Sequence, residues 1–210
     1  MTRSKTIIAL DEADLAKVAG GAFQQGTFGS DSLYGGTSAD VIFAGGGNDG
    51  VASGAGNDQV YGEAGNDHVN TGSGNDIAYG GTGNDALNGG SGADVLHGEA
   101  GDDVLDGGAG DGAADLADGG AGNDTFLWAP GDGNDEFRGG DGVDTLNLLG
   151  MNLQDLTAAL RLDTQGLQMQ VTNNVVTFLD ATGNPATFGG TVSIGGETLR
   201  FSEVERIRLG

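Results

Sequence analysis

Apolar residues return at one fixed interval through the first two-thirds of the chain. Leu33, Ile42, Val51, Val60, Val69, Ala78, Leu87, Leu96 and Leu105 are spaced nine residues apart. Neither a helix nor a lone strand has that period, so it marks an internal repeat. Two residues before each apolar position stands an aspartate: Asp31, Asp40, Asp49, Asp58, Asp67, Asp76, Asp85, Asp94 and Asp103. Two residues earlier again comes glycine, except at Ser38. A representative unit is GGTGNDALN, residues 80–88. The period slips at 107–118, where GGAGDGAADLAD places three extra residues before Asp115. It resumes at Asp124, Asp135 and Asp144 in GGAGNDTFL (119–127), PGDGNDEFR (130–138) and GGDGVDTLN (139–147). Low-complexity disorder would not hold an apolar residue at one position in every unit.

Within a unit, the first six positions read as a tight turn, where glycine tolerates positive φ. The last three read as a short strand whose middle residue points inward and whose neighbours point outward. Beyond residue 150 the pattern changes. LQMQV (167–171), VVTFLD (175–180), TVSIG (191–195) and ETLRFSEVERIRL (197–209) alternate as strands do. Residues 152–162 read as a helix with Asn152 as N-cap. Together they predict a small β-rich cap over the open end of a solenoid. Trp128, after Phe126 and Leu127, is expected to pack at a junction.

Composition sharpens this outline. The 210 residues include 44 glycines, two prolines and no cysteine, with 31 acidic and 8 basic residues for a net charge of −23. The absence of cysteine removes disulfides, thiolate metal sites and cysteine nucleophiles. The charge has the wrong sign for nucleic acid, and no apolar run approaches the roughly 20 residues of a membrane-spanning helix. Lysine occurs only at Lys5 and Lys17, which leaves no Walker A loop downstream. The charge divides the chain into three parts. Residues 1–21 are neutral, 22–150 carry 22 acidic residues against Arg138, and 151–210 carry six acidic and four basic residues.

The turn chemistry accounts for the acidic middle. A glycine-rich turn aims backbone carbonyls inward, and the sixth-position aspartate adds a carboxylate. Hard oxygens of this kind suit Ca²⁺ better than Mg²⁺, which keeps its waters and demands a stricter octahedron. The candidate ligands are Asp31, Asp40, Asp49, Asp58, Asp67, Asp76, Asp85, Asp94, Asp103, Asp115, Asp124, Asp135 and Asp144. One buried aliphatic per unit is too thin a core to offset the ordering entropy of a glycine-rich chain, so the cation is expected to supply much of the folding free energy.

The units resemble the G-G-x-G-x-D-x-U-x pattern of RTX (repeats-in-toxin, hemolysin-type) calcium-binding proteins over roughly residues 26–147. The resemblance implies an all-β chain: a parallel β-roll, or β-solenoid, of nonapeptide repeats with two units per turn. Each Ca²⁺ would lie between loops of adjacent turns, so that loop n pairs with loop n+2. The nine strict units then offer about seven sites, and the later units add to them. The 107–118 insertion is expected to disturb the sites nearest it. Replacement of glycine by Ala44, Ser53, Glu63, Thr71 and Glu99 bears on backbone geometry more than on the ligand.

With two units per turn, alternate units share a face. One face then stacks Phe43, Tyr61, Tyr79 and His97 at about 4.8 Å per turn. The tail or a second copy of the chain is expected to cover it; a glycan or a partner protein is the alternative. His68 and His97 stand at outward strand positions and lack convergent ligands, so both read as surface residues. No H-E-x-x-H or G-x-S-x-G occurs, and no pair of carboxylates is set apart as acid and base. The chain is therefore expected not to be an enzyme.

Both ends read as export equipment. Leu10, Asp14, Leu15, Val18, Gly20 and Gly21 resemble a double-glycine leader read by peptidase-containing ABC exporters, with cleavage after Gly21. The alternative is an amphipathic N-terminal helix that caps the roll. The last 50 or so residues would, by the same family resemblance, carry an uncleaved signal for the type I (ABC) exporter. The expected organisation is a leader (1–21), a calcium-binding roll (22–150) and a cap with the secretion signal (151–210). The expected role is a secreted bacterial structural or adhesive protein of the extracellular space or cell surface. A small secreted effector or bacteriocin-like product is the alternative.

Overall fold

A computed structural model of the chain describes residues 21–210. The leader expected over 1–21 therefore lies, but for its last residue, outside the described residues. Along the repeats the strands are β1 (Phe23–Gln25), β2 (Ser32–Gly36), β3 (Val41–Gly46), β4 (Gly50–Ala55), β5 (Gln59–Ala64), β6 (His68–Ser73) and β7 (Ile77–Thr82). They continue as β8 (Ala86–Ser91), β9 (Val95–Ala100), β10 (Val104–Asp106), β11 (Leu116–Gly122), β12 (Thr125–Trp128), β13 (Glu136–Gly142) and β14 (Thr145–Leu148). Odd-numbered strands pair in parallel in one sheet and even-numbered strands in the other. The register repeats every 18 residues, as in Ile42↔Val60 and Val60↔Ala78. Two units thus make one turn of a parallel β-solenoid of about seven turns.

The strands are longer than the three residues expected from the unit. β7 spans six, taking in Gly80, Gly81 and Thr82 of the following unit and leaving Gly83-Asn84-Asp85 as the corner. The strand extends because the second-position residue keeps its parallel partner despite a positive φ. Gly81 (φ 112°) sits in register between Glu63 and Glu99. At Gly83 the demand for glycine is double: φ is 122°, and an added Cβ would lie 2.1 Å from the Gly65 carbonyl oxygen. Glu63 and Glu99 hold the second position at φ 71° and 72°, a conformation that L-residues other than glycine enter at a cost.

Two residues of each six-residue strand face the interior. The expected apolar position is buried in both sheets, from Ile42, Val60, Ala78 and Leu96 to Val51, Val69, Leu87 and Leu105. The first position of the next unit is the second, filled by Ala44, Ser53 and Thr71, all fully buried. Ser53 and Thr71 keep their hydroxyls satisfied by donating to the carbonyls of Thr71 (2.8 Å) and Gly89 (2.7 Å) in the next turn. The core widens toward the C-terminal end, where Phe126 and Phe137 stack at 5.1 Å and Trp128 is fully buried, as its junction position suggested.

The tail lengthens the sheets. The helix α1 (Leu153–Ala159) starts from a capping box on Asn152 and Asp155 and buries Leu156 and Ala159. It ends earlier than the expected residue 162, because Leu160 turns extended and begins β15 (Leu160–Leu162), which pairs with a later strand. The remaining strands are β16 (Gln168–Thr172), β17 (Val175–Leu179), β18 (Phe188–Ile194), β19 (Glu197–Val204) and β20 (Arg206–Leu209). β19 pairs in parallel with β13 and β20 with β14, forming one more solenoid turn. Antiparallel strands then finish the sheets: β18 and β15 beyond β19, and β17 and β16 beyond β20.

This placement corrects the expected covering of the aromatic row by the tail. The tail lies beyond β13 and β14 along the axis, and among the described residues nothing lies over Phe43, Tyr61, Tyr79 and His97. Their rings stack on one another at 4.6–5.0 Å with interplanar angles of 4–11°. Between Phe43 and His97 the ring faces are taken up in the stack, and the ring edges point outward.

Two substitutions test these local readings in calcium-loaded thermal melts. Glu63→Gly should stabilise the roll by about 1 kcal/mol by relieving the positive φ. Asn152→Ala should destabilise it by about 1 kcal/mol through loss of the cap.

Candidate metal centres

The thirteen aspartates singled out by the repeat form two ladders, one along each edge where the sheets meet. In each, the backbone N–H of one aspartate donates to Oδ1 of the aspartate one turn on. The first runs Asp40, Asp58, Asp76, Asp94, Asp115, Asp135, at 2.7–2.9 Å per step. The second runs Asp31, Asp49, Asp67, Asp85, Asp103, Asp124, Asp144, also at 2.7–2.9 Å. The insertion leaves the first ladder intact: Asp94 N–H reaches Asp115 Oδ1 at 2.8 Å although 21 residues separate them. The extra residues are spooled out as a loop, pinned where Gly92 N–H donates to Asp111 and Gly110 N–H to Asp132. The expected disturbance at this point is thus confined to the loop.

The second oxygen of each carboxylate defines the chemistry. Oδ2 of Asp49, Asp58, Asp67, Asp76, Asp85, Asp94, Asp103, Asp115, Asp124 and Asp144 is buried and receives no hydrogen bond. Carbonyl oxygens crowd the same places. A carbon added at Gly80 would lie 2.4 Å from Asp85 Oδ2 and 2.8 Å from the Gly98 carbonyl, and Gly89 repeats this with Asp94 and Gly107 at 2.4 and 2.5 Å. Buried oxygens gathered without a donor repel one another unless a cation or a proton joins them. Among the described residues no three Asp, Glu or His side chains converge. A bound cation would therefore draw many of its ligands from the backbone, as a glycine-rich corner permits. Hard oxygen donors of this kind fit Ca²⁺, which would neutralise the carboxylates.

Burial pushes the carboxyls well above their usual range, and neighbouring aspartates add to the effect against the opposing backbone hydrogen bonds. Asp94 and Asp124 rise to about 7; Asp67, Asp85, Asp115, Asp135 and Asp144 rise to about 6. Asp76 and Asp103 are raised for the same leading reason.

Not every aspartate is equal. Asp31 and Asp40 stand on the first turns, where Asp31 Oδ2 accepts from Thr27 N–H at 2.6 Å and Asp40 Oδ2 from Gly36 N–H at 2.6 Å. Asp135 faces the Trp128 indole, whose buried Nε1 falls short of hydrogen-bond geometry. Two carboxylates outside the repeat pattern also serve the ladders. Glu205 accepts from Asp144 N–H at 2.7 Å and so continues the second ladder into the cap. The sequence signal for it is Glu205-Arg206-Ile207, the acid-x-apolar triplet of the repeat with glutamate in place of aspartate. Asp132 is buried and ties Ala129 N–H and Gly110 N–H together across the insertion. The fifth-position asparagines form an outer ladder of their own, Asn48 Oδ1 accepting from Asn66 N–H and Asn66 Oδ1 from Asn84 N–H.

These features give opposite pH responses with and without metal. Carboxyls raised from 3.8 toward 6 or 7 bind protons more readily in the folded chain than in the unfolded one. The metal-free roll is therefore most stable below the unfolded value and loses stability as pH rises through the folded values. With metal removed, the β signal in circular dichroism should grow as pH falls from 8 to 5. With calcium present, protons compete for the same oxygens, and the apparent affinity should fall over that range. Asp85→Asn, in the middle of a ladder, should remove about one or two bound ions by elemental analysis and raise the calcium midpoint several-fold.

Comparison with family models agrees with the geometry. The family model of the RTX calcium-binding nonapeptide repeat, four copies long, matches residues 25–60, 51–78, 79–113, 110–127 and 131–149. No curated protein matches the sequence. Among solved structures, the chain is similar to the solution structure of the AlgE6R3 subunit from the Azotobacter vinelandii mannuronan C5-epimerase. The two share 19% identity with a TM-score of 0.20, covering 88% of this chain and 72% of that one. With the family model spanning more than half of the chain, and with buried, donor-free carboxylates at the repeat positions, the chain belongs to the RTX family of calcium-binding nonapeptide repeat proteins.

Proposed function

We propose that this calcium-binding β-roll is exported unfolded, folds on meeting calcium outside the cell, and serves there as a structural or adhesive protein with no catalysis of its own. The observation that carries the reading is the pair of aspartate ladders. Ten buried carboxylate oxygens without a donor make the metal-free fold unfavourable at neutral pH. Where calcium is scarce, as in the cytosol, such a chain stays loose and can be threaded through a type I exporter. Where calcium is plentiful, binding free energy becomes folding free energy. Like-charge repulsion along a chain of net charge −23 reinforces the switch in the absence of the ion.

The absence of catalysis belongs to the proposal as well. The histidines support it by their position, for His97 closes the aromatic stack on Tyr79 and His68 stands exposed on β6. The buried carboxylates serve the ladders, and none is set apart from its neighbours as an acid or base would be.

A calcium titration on the full chain tests the reading. Far-ultraviolet circular dichroism in chelator should show a largely disordered chain, and millimolar calcium should convert it cooperatively to β structure. The only tryptophan, buried against Asp135, should report the same transition by a blue-shifted emission. A chain already β-rich in chelator at pH 7.5, with no response to calcium, overturns the folding switch. Calcium-dependent appearance of folded protein outside the cell, in a host supplied with a type I exporter, tests the location. Retention in the cytosol despite the exporter overturns it.

A further inference from the structure

The two ends of the roll differ from its sides. Both sheets finish, at the cap, on edge strands with no further partner among the described residues: β15 in one and β16 in the other. At the opposite end the edges among the described residues are β1 and β2. Natural proteins block such edges with charge, proline or bulges, because an open edge pairs with another chain. Here, in a chain of net charge −23, β1, β2 and β16 carry no charged side chain, β15 carries only Arg161, and none of the four has a proline. All five residues of β16 are exposed, including Met169 and Val171 at 43% and 42%.

Strand direction makes the two ends compatible. The strands from β1 to β14, with β19 and β20, are mutually parallel within their sheets. At the cap each sheet reverses twice, through β18 to β15 and through β17 to β16. The outermost cap strands therefore run in the direction of β1 and β2 once more. A second copy placed with its first turn on this cap would extend both sheets by parallel pairing, the geometry the roll already uses.

Shape adds to this. The first turn exposes Phe28 completely and Tyr34 by 69%. Beside β16 the cap holds a largely apolar groove of about 390 Å³, lined by Met151, Leu153, Val171 and Leu209 among others. A projecting aromatic at one end and an apolar groove at the other make a heterologous contact that does not close on itself.

We infer that calcium-folded copies of this chain stack head to tail, cap onto first turn, into linear assemblies through edge-strand pairing. The inference deepens the structural role proposed above, since an extracellular matrix or surface layer is built from such assemblies. Calcium is required because it creates the folded edges.

Sedimentation velocity on the full chain in millimolar calcium tests it. The expected result is a concentration-dependent series of linear oligomers that collapses to monomer in chelator. Tyr34→Lys charges the first-turn edge and Val171→Lys the cap edge, and each should be monomeric alone. Mixed, they retain one good edge of each kind and should form a dimer that grows no further. Because the chain has no cysteine, Ser32→Cys and Thr172→Cys give an independent reading: a disulfide should form between the two variants far faster than within either. Tyr61→Ser with Tyr79→Ser leaves the assemblies unchanged if the ends are the interface. A chain folded in calcium by circular dichroism yet monomeric at about 100 µM, where any contact of micromolar Kd would be populated, overturns the stacking and leaves the calcium switch standing. A closed dimer sensitive to the tyrosine substitutions overturns it in favour of a face-to-face contact.

Discussion

Everything in this molecule hangs on carboxylates buried in rows. Ten of the thirteen ladder aspartates are held where one oxygen accepts a backbone N–H from the preceding turn and the other meets no donor. The first bond fixes the spacing of the turns and the second oxygen leaves a standing electrostatic debt that a proton or a cation must settle. Raised carboxyl pKa values express the same fact in another form. A fold that is complete in its hydrogen-bonded ladder and incomplete in its charge is conditional on its solution.

The glycines serve this arrangement. Corner glycines such as Gly83 adopt positive φ and also let the carbonyl of the turn below approach to where a side chain would begin. Small first-position residues keep the sheets close enough for ladders to form at both edges. The interior consequently has little apolar volume over the early turns, where Val60 and Ala78 face Val51 and Val69. Larger aromatics enter only at Phe126, Trp128 and Phe137, next to the cap, and at Phe178, Phe188 and Phe201 within it. The apolar core is thus concentrated at the C-terminal end, and the early turns rely on their corners.

The cap shows how a solenoid can stop without being plugged. β19 and β20 repeat the turn geometry with Glu205 standing in for the ladder aspartate, after a long excursion through α1 and two antiparallel strand pairs. Those pairs reverse each sheet twice and restore the starting direction at the edge. A closing element with its outermost strands antiparallel to the first turn would have ended the possibility of parallel growth; this one keeps it.

The nine-residue spacing alone determined the repeat, the inward apolar position, the aspartate at each corner and the oxygen chemistry, because each depends on residue type at a fixed step along the chain. Asn152 announced its helix for the same local reason. What the spacing could not carry was anything decided between turns. The extension of each strand through Gly80-Gly81-Thr82 depends on a partner 18 residues away. The insertion before Asp115 looked disruptive in one dimension, yet the corner hydrogen bond accepts a loop of any length that returns the carboxylate to its place. Glu205 was readable only as a faint acid-x-apolar triplet, since its ladder partner Asp144 lies 61 residues earlier. The tail looked like a cover for the aromatic row, but its strands found better partners in the open edges of β13 and β14, where backbone hydrogen bonds were waiting. Local chemistry was written in the sequence; which edges met was decided by the pairing of backbones across the fold.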